Sequence, residues 1–66
     1  MHVSVNGKAI ILERPTTIAD YLASRGMKYT LVSVAYNQEW TVRQDWPRIV
    51  LQDNDRLEIM RVVAGG

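Results

Sequence analysis

The residues best suited to chemistry stand at the end of the chain, Val63-Ala64-Gly65-Gly66, and follow an alternating apolar segment with no Ser-rich or charged spacer. Backbone without a Cβ can enter a narrow partner site where a side chain would clash. The expected reactive group is therefore the terminal carboxylate of Gly66, carried on a small-residue arm of Ala64 and Gly65. A carboxylate is a poor electrophile until one of its oxygens joins a leaving group such as AMP, so a partner has to supply the activation. From Val63 onward the arm reaches at most about 13–14 Å, enough to enter a pocket of another protein from a docked domain. A frayed chain end is the competing reading and involves no chemistry.

Other residues invite functional readings that their surroundings weaken. His2 is the only histidine and has neither a second ligand nor a nucleophile near it in sequence, so no metal site or catalytic triad is expected. Asp53 and Asp55 flank Asn54 but are not followed by the Gly and bidentate Glu of a calcium loop, and they read as turn residues. Trp40 and Trp46 could stack on bases. Packing in the core or at its rim is the better expectation for large rings in a small domain. Lys8 and Lys28 are ordinary surface lysines, and Arg61 is either a solvated strand charge or a guide for the arm.

Composition narrows the function classes. With 66 residues the chain fits one small domain without spare protein to wall a deep cleft. The absence of Cys removes disulfides, thiolate metal sites and cysteine nucleophiles. A net charge of +1 is far from the basic footprint of a nucleic-acid binder. No apolar run is long enough to cross a membrane, and Met1-His2-Val3-Ser4 has no basic export region, so a cytoplasmic protein is expected. No activated nucleophile, acid–base pair or phosphate loop argues for an enzyme.

The arm needs a firm base, and the sequence spells out the elements that could provide one. Asn6-Gly7 between two apolar-alternating segments predicts a two-residue hairpin turn. The resulting register sets Val5 opposite Lys8, Val3 opposite Ile10 and Met1 opposite Leu12, with Ser4, Ala9, His2 and Ile11 on the other face. Thr17 and Asp20 read as a capping box opening a helix over Ile18–Arg25, with Ile18, Tyr21, Leu22 and Arg25 on one stripe and Gly26 as the stop. Leu31–Tyr36 predicts a third strand, Arg43–Pro47 a helical turn, Ile49–Leu51 a fourth strand and Arg56–Val63 a fifth. The expected architecture is α+β: a mixed five-stranded sheet with one main helix across one face. Its expected core is Val3, Ile10, Leu12, Ile18, Leu22, Val34, Leu57 and Ile59. Met60 and Val62 should face away from the helix, an apolar pair beside the arm that reads as a partner-docking surface.

The whole chain resembles the ThiS-type sulfur carriers of thiamine biosynthesis, which are ubiquitin-like β-grasp proteins. The resemblance is carried by Asn6, Asn37-Gln38, Arg43, Trp46, Gln52-Asp53-Asn54-Asp55 and the ending Val62-Val63-Ala64-Gly65-Gly66, in that order and spacing. Val42 and Asn54 depart from it, since the family often has Pro and Gly there; both are loop positions. The resemblance implies a β-grasp domain over residues 1–62 and a flexible reactive tail over 63–66. It implies that a ThiF-like adenylating enzyme, using ATP and Mg²⁺, activates Gly66, and that a persulfide sulfur donor converts it to a thiocarboxylate. The sulfur would pass to a thiazole synthase (ThiG-like), making the protein a cosubstrate with no permanently bound cofactor. The small subunit of molybdopterin synthase, a ubiquitin-like modifier and a non-catalytic β-grasp interaction module are the alternatives.

Overall fold

Asn6 and Gly7 both adopt positive φ, 52° and 82°, the pair of left-handed conformations that a two-residue type I′ turn requires. The turn joins β1 (His2–Val5) to β2 (Lys8–Ile11) in the expected register, with Val5 opposite Lys8 and Val3 opposite Ile10. One rung further, the Leu12 N–H donates to the Met1 carbonyl at 2.9 Å. The computed structural model describes residues 1–61, so Val62, Ala64, Gly65, Gly66 and the expected continuation of the last strand to Val63 lie outside the described residues.

The main helix, α1 (Ile18–Ser24), begins at a reciprocal cap. Thr17 Oγ1 accepts from the Asp20 N–H at 3.0 Å, and the Asp20 carboxylate accepts from the Thr17 N–H at 3.4 Å. Its first free N–H groups find loop carbonyls: Ile18 donates to Ile49 at 3.0 Å and Ala19 to Trp46 at 3.2 Å. Gly26, at φ 70°, stops it in a Schellman pair, with Gly26 N–H on the Ala23 carbonyl and Met27 N–H on the Leu22 carbonyl. A helix of seven residues would not persist in water alone. Burial of Ile18, Ala19, Tyr21 and Leu22 holds it, while Arg25, expected on the stripe, is exposed as the C-cap.

After a 3-10 turn over Tyr29–Leu31, β3 (Val32–Tyr36) turns at Asn37-Gln38 into β4 (Glu39–Trp40). This corrects two expectations. Leu31 precedes the strand and is exposed. The fourth strand is Glu39–Trp40, not Ile49–Leu51, which makes only an isolated bridge between Val50 and Thr17. The Ile49–Leu51 run is apolar because it fills the floor beneath α1: Leu51 is fully buried and Ile49 half-buried, whereas Val50 faces out. The expected helical turn is a 3-10 turn over Arg43–Asp45. It drives Trp46 into the core, where its Nε1–H donates to Thr41 Oγ1 at 2.7 Å and Thr41 in turn donates to the Val34 carbonyl at 2.8 Å.

The last described strand, β5 (Arg56–Arg61), lies in the middle of a sheet ordered β2-β1-β5-β3-β4, parallel to β1 and antiparallel to β3. A mixed five-stranded sheet with one helix on one face is the ubiquitin-like β-grasp architecture expected from the sequence. Val3, Ile18, Leu22, Val34, Leu57 and Ile59 are in the core as expected. Ile10 and Leu12 are not fully inside; they pack at its margin because β2 is an edge strand with no neighbour beyond it.

Candidate functional site

β5 is the element that leads to the expected reactive arm, and it is paired on both sides. On one side Val34, Tyr36 and Val32 oppose Ile59, Leu57 and Arg61. On the other, Ser4 and Val5 of β1 oppose Arg56 and Leu57. Strand alternation sends Leu57 and Ile59 beneath α1, where both are buried, and turns Arg56, Glu58 and Met60 to the open face of the sheet.

The open face carries more apolar surface than the sequence suggests. Met60 is 57% exposed and faces away from the helix, as expected. Its cross-strand partner is Ser33, and two pairs along the ladder Ala35 lies between Glu58 and Trp40. Opposed residues share a face, so Trp40, 64% exposed, stands on the same side as Met60. Trp40 is thus not a packing residue; of the two indoles only Trp46 is buried. Ile11, also exposed, lies on this face at the far edge of the sheet. Pairing Trp40 with the Met60 face required knowing that residues 39–40 form a strand, which a two-residue segment does not announce by periodicity.

The turn before β5 is a polar clasp. The buried Asp55 carboxylate accepts from the Tyr36 hydroxyl at 2.6 Å, the Gln52 N–H at 2.7 Å and the Asn37 amide at 3.1 Å. Asn37 also accepts from the Arg56 N–H at 2.8 Å, tying the β3–β4 turn to the start of β5. Burial pushes the Asp55 carboxyl up, but hydrogen bonds from Tyr36, Gln52 and Asn37 outweigh it and hold it below its ordinary value. Burial, then the hydrogen bond to Asp55 and its charge, push the Tyr36 phenol up to about 12. Both shifts lead away from neutral pH, so the pair is a fastening and not an acid–base device. Asp53 caps the other end of the same turn, accepting from the His2 N–H at 2.7 Å, and Asn54 takes the positive φ of the turn at 70°.

His2, Lys8, Lys28 and Arg61 are exposed. Among the described residues no three His, Asp or Glu side chains group as a metal site, and no helix is long and apolar enough to cross a membrane.

The description that fits this arrangement also fits a known family: the ThiS family model matches residues 3–66. The chain belongs to the ThiS family. It is 26% identical over 66 residues, the full length of both chains, to the sulfur carrier protein ThiS of Escherichia coli (strain K12). It is also 26% identical over 62 residues to the uncharacterized protein ycf40 of Trieres chinensis, covering 94% of this chain and 85% of that one. Its backbone superposes on the crystal structure of the thiamine biosynthesis protein ThiS from Geobacter metallireducens with a TM-score of 0.84, over 100% of both chains at 23% identity. That last likeness is one of fold, and it places the ThiS-family chain in the β-grasp architecture its strand order displays.

Proposed function

We propose that this protein is a sulfur carrier of thiamine biosynthesis and that its reacting group is the carboxylate of Gly66. The observation that carries this reading is the match to the ThiS family over residues 3–66, which runs through Gly65-Gly66. The fold supports it, since the segment that holds these glycines continues directly from the central strand of the sheet. The division of labour is a β-grasp domain over 1–62 and a reactive tail over 63–66.

In this reading a Gly66 carboxylate oxygen attacks the α-phosphorus of ATP on a ThiF-like adenylating enzyme, and pyrophosphate leaves with Mg²⁺. A persulfide sulfur then attacks the acyl carbon and displaces AMP; cleavage of the S–S bond by a thiol leaves the thiocarboxylate. The sulfur goes on to a thiazole synthase. The protein contributes the carboxylate and a shape that presents it, and acts as a cosubstrate with its partners in the cytoplasm. Gly65 and Ala64 contribute by their small size, because alignment inside a closed channel is sensitive to displacements of about 1 Å. Met60 and Val62 are the proposed docking surface, with Trp40 on the same face of the sheet as Met60: the exposed apolar side chains of Met60 and Trp40 mark an interaction site.

The test is the intact mass of the protein after incubation with ATP, a sulfur source and the adenylating enzyme. The expected product is heavier by the exchange of one oxygen for one sulfur, located at Gly66 by fragmentation. An unchanged mass refutes the reading, and a new amide to a lysine of another protein would make this a modifier instead.

A further inference from the structure

β1 ends at Val5, opposite Leu57, while β5 runs on to Arg61. The β1 side of β5 would therefore be bare from Glu58 onward if backbone alone supplied the partners. The side chain of Asn6 fills the next place. Its Oδ1 accepts from the Ile59 N–H at 2.7 Å and its Nδ2 donates to the Ile59 carbonyl at 3.2 Å, while its own backbone N–H donates to the Leu57 carbonyl at 2.9 Å. A side-chain amide carries the same donor and acceptor as a peptide group, so Asn6 adds a rung that the strand itself lacks. These contacts join residues 53 apart in sequence.

We propose that Asn6 is a positioning residue for the reactive segment. It pins Ile59, two residues before Arg61, and so fixes the point and direction from which residues 62–66 continue. The inference rests on the reading of Gly66 as the reacting group. It assigns to Asn6 a role separate from its place in the β1–β2 turn, because the positive φ of 52° needed there is met equally by glycine.

Asn6→Gly separates the two roles, keeping the turn and deleting both side-chain bonds. Hydrogen exchange at the Ile59 N–H should become about tenfold faster while the β1–β2 amides keep their protection. In steady-state assays with the adenylating enzyme, kcat should fall about tenfold with the KM for the carrier changed less than about twofold, since the docking face is untouched. Faster exchange with unaltered kcat makes Asn6 a fastening only and overturns the positioning role, as does a rise confined to KM. If the variant does not fold, the wild-type protein still decides: the Asn6 Nδ2 protons and the Ile59 N–H must both be protected, and free exchange of either overturns the clamp. A wild-type protein that is not activated at all refutes the carrier reading itself, an outcome distinct from an activated wild type with an equally active Asn6→Gly variant.

Discussion

Replacing Asp55 by alanine should cost more than any other single polar substitution in the described fold. The carboxylate is 8% exposed and accepts three hydrogen bonds, two of them on one oxygen. Asp55→Ala strands the Gln52 N–H and the Tyr36 hydroxyl, at about 1–2 kcal/mol each, while the Asn37 NH₂, which also loses its acceptor, belongs to an exposed residue and can turn to water. The loss is about 3 kcal/mol, against a total stability of roughly 3–10 kcal/mol for a chain of this length. At about 2.1 cal/mol/K of unfolding entropy per residue, the midpoint should fall by about 20 °C. Asp55→Asn keeps one oxygen for the Tyr36 and Gln52 donors but sets an NH₂ against that of Asn37, and should cost about 1–2 kcal/mol. Urea titration followed by tryptophan fluorescence reads both, with the m-value unchanged. A cost below about 1 kcal/mol for Asp55→Ala would refute the clasp. The pH dependence follows from the same contacts. The Asp55 pKa is lowered in the fold, so its contribution is present above the unfolded value of 3.8 and is lost as pH falls through the folded one. The Tyr36 pKa is raised from 10.0 to about 12, so its contribution is complete below 10.0 and is lost as pH rises through about 12. Asp55→Ala should flatten both flanks.

Thr17→Ala deletes the acceptor for the Asp20 N–H and should cost about 1 kcal/mol in the same titration; a cost near zero would show that burial alone fixes the start of α1. Met60→Glu puts a charge on an exposed position, so stability should move by less than about 0.5 kcal/mol. Binding to the adenylating enzyme, read by calorimetry, should weaken about tenfold or more, and unchanged binding would remove Met60 from the docking surface.

The elements that were legible in the sequence are those whose signals are local and chemically demanding. Asn6-Gly7 dictated the first hairpin and its register, and Thr17 with Asp20 and Gly26 bounded the helix. The second hairpin was hidden because its turn uses Asn37 and Gln38 at φ 49° and 73°, with Gln where glycine would ordinarily stand and a two-residue strand after it. The Ile49–Leu51 run misled because burial by a loop beneath a helix and burial in a strand leave the same apolar trace. At the candidate site, the exposure of Met60 followed from strand alternation, but that of Trp40 did not, since it depended on the hidden strand. The Asn6 clamp left no sequence signal beyond the turn, because its partner Ile59 is brought to it only by the parallel pairing of β1 and β5.

The central claim is that the carboxylate of Gly66 is the site of chemistry. Removing Gly66 leaves a carboxylate one residue short on an unchanged domain, so this variant should bind the adenylating enzyme with the affinity of the full chain. It should release no pyrophosphate above background and gain no sulfur by intact mass. A variant lacking Gly66 that is activated and sulfurated as well as the full chain would contradict the account.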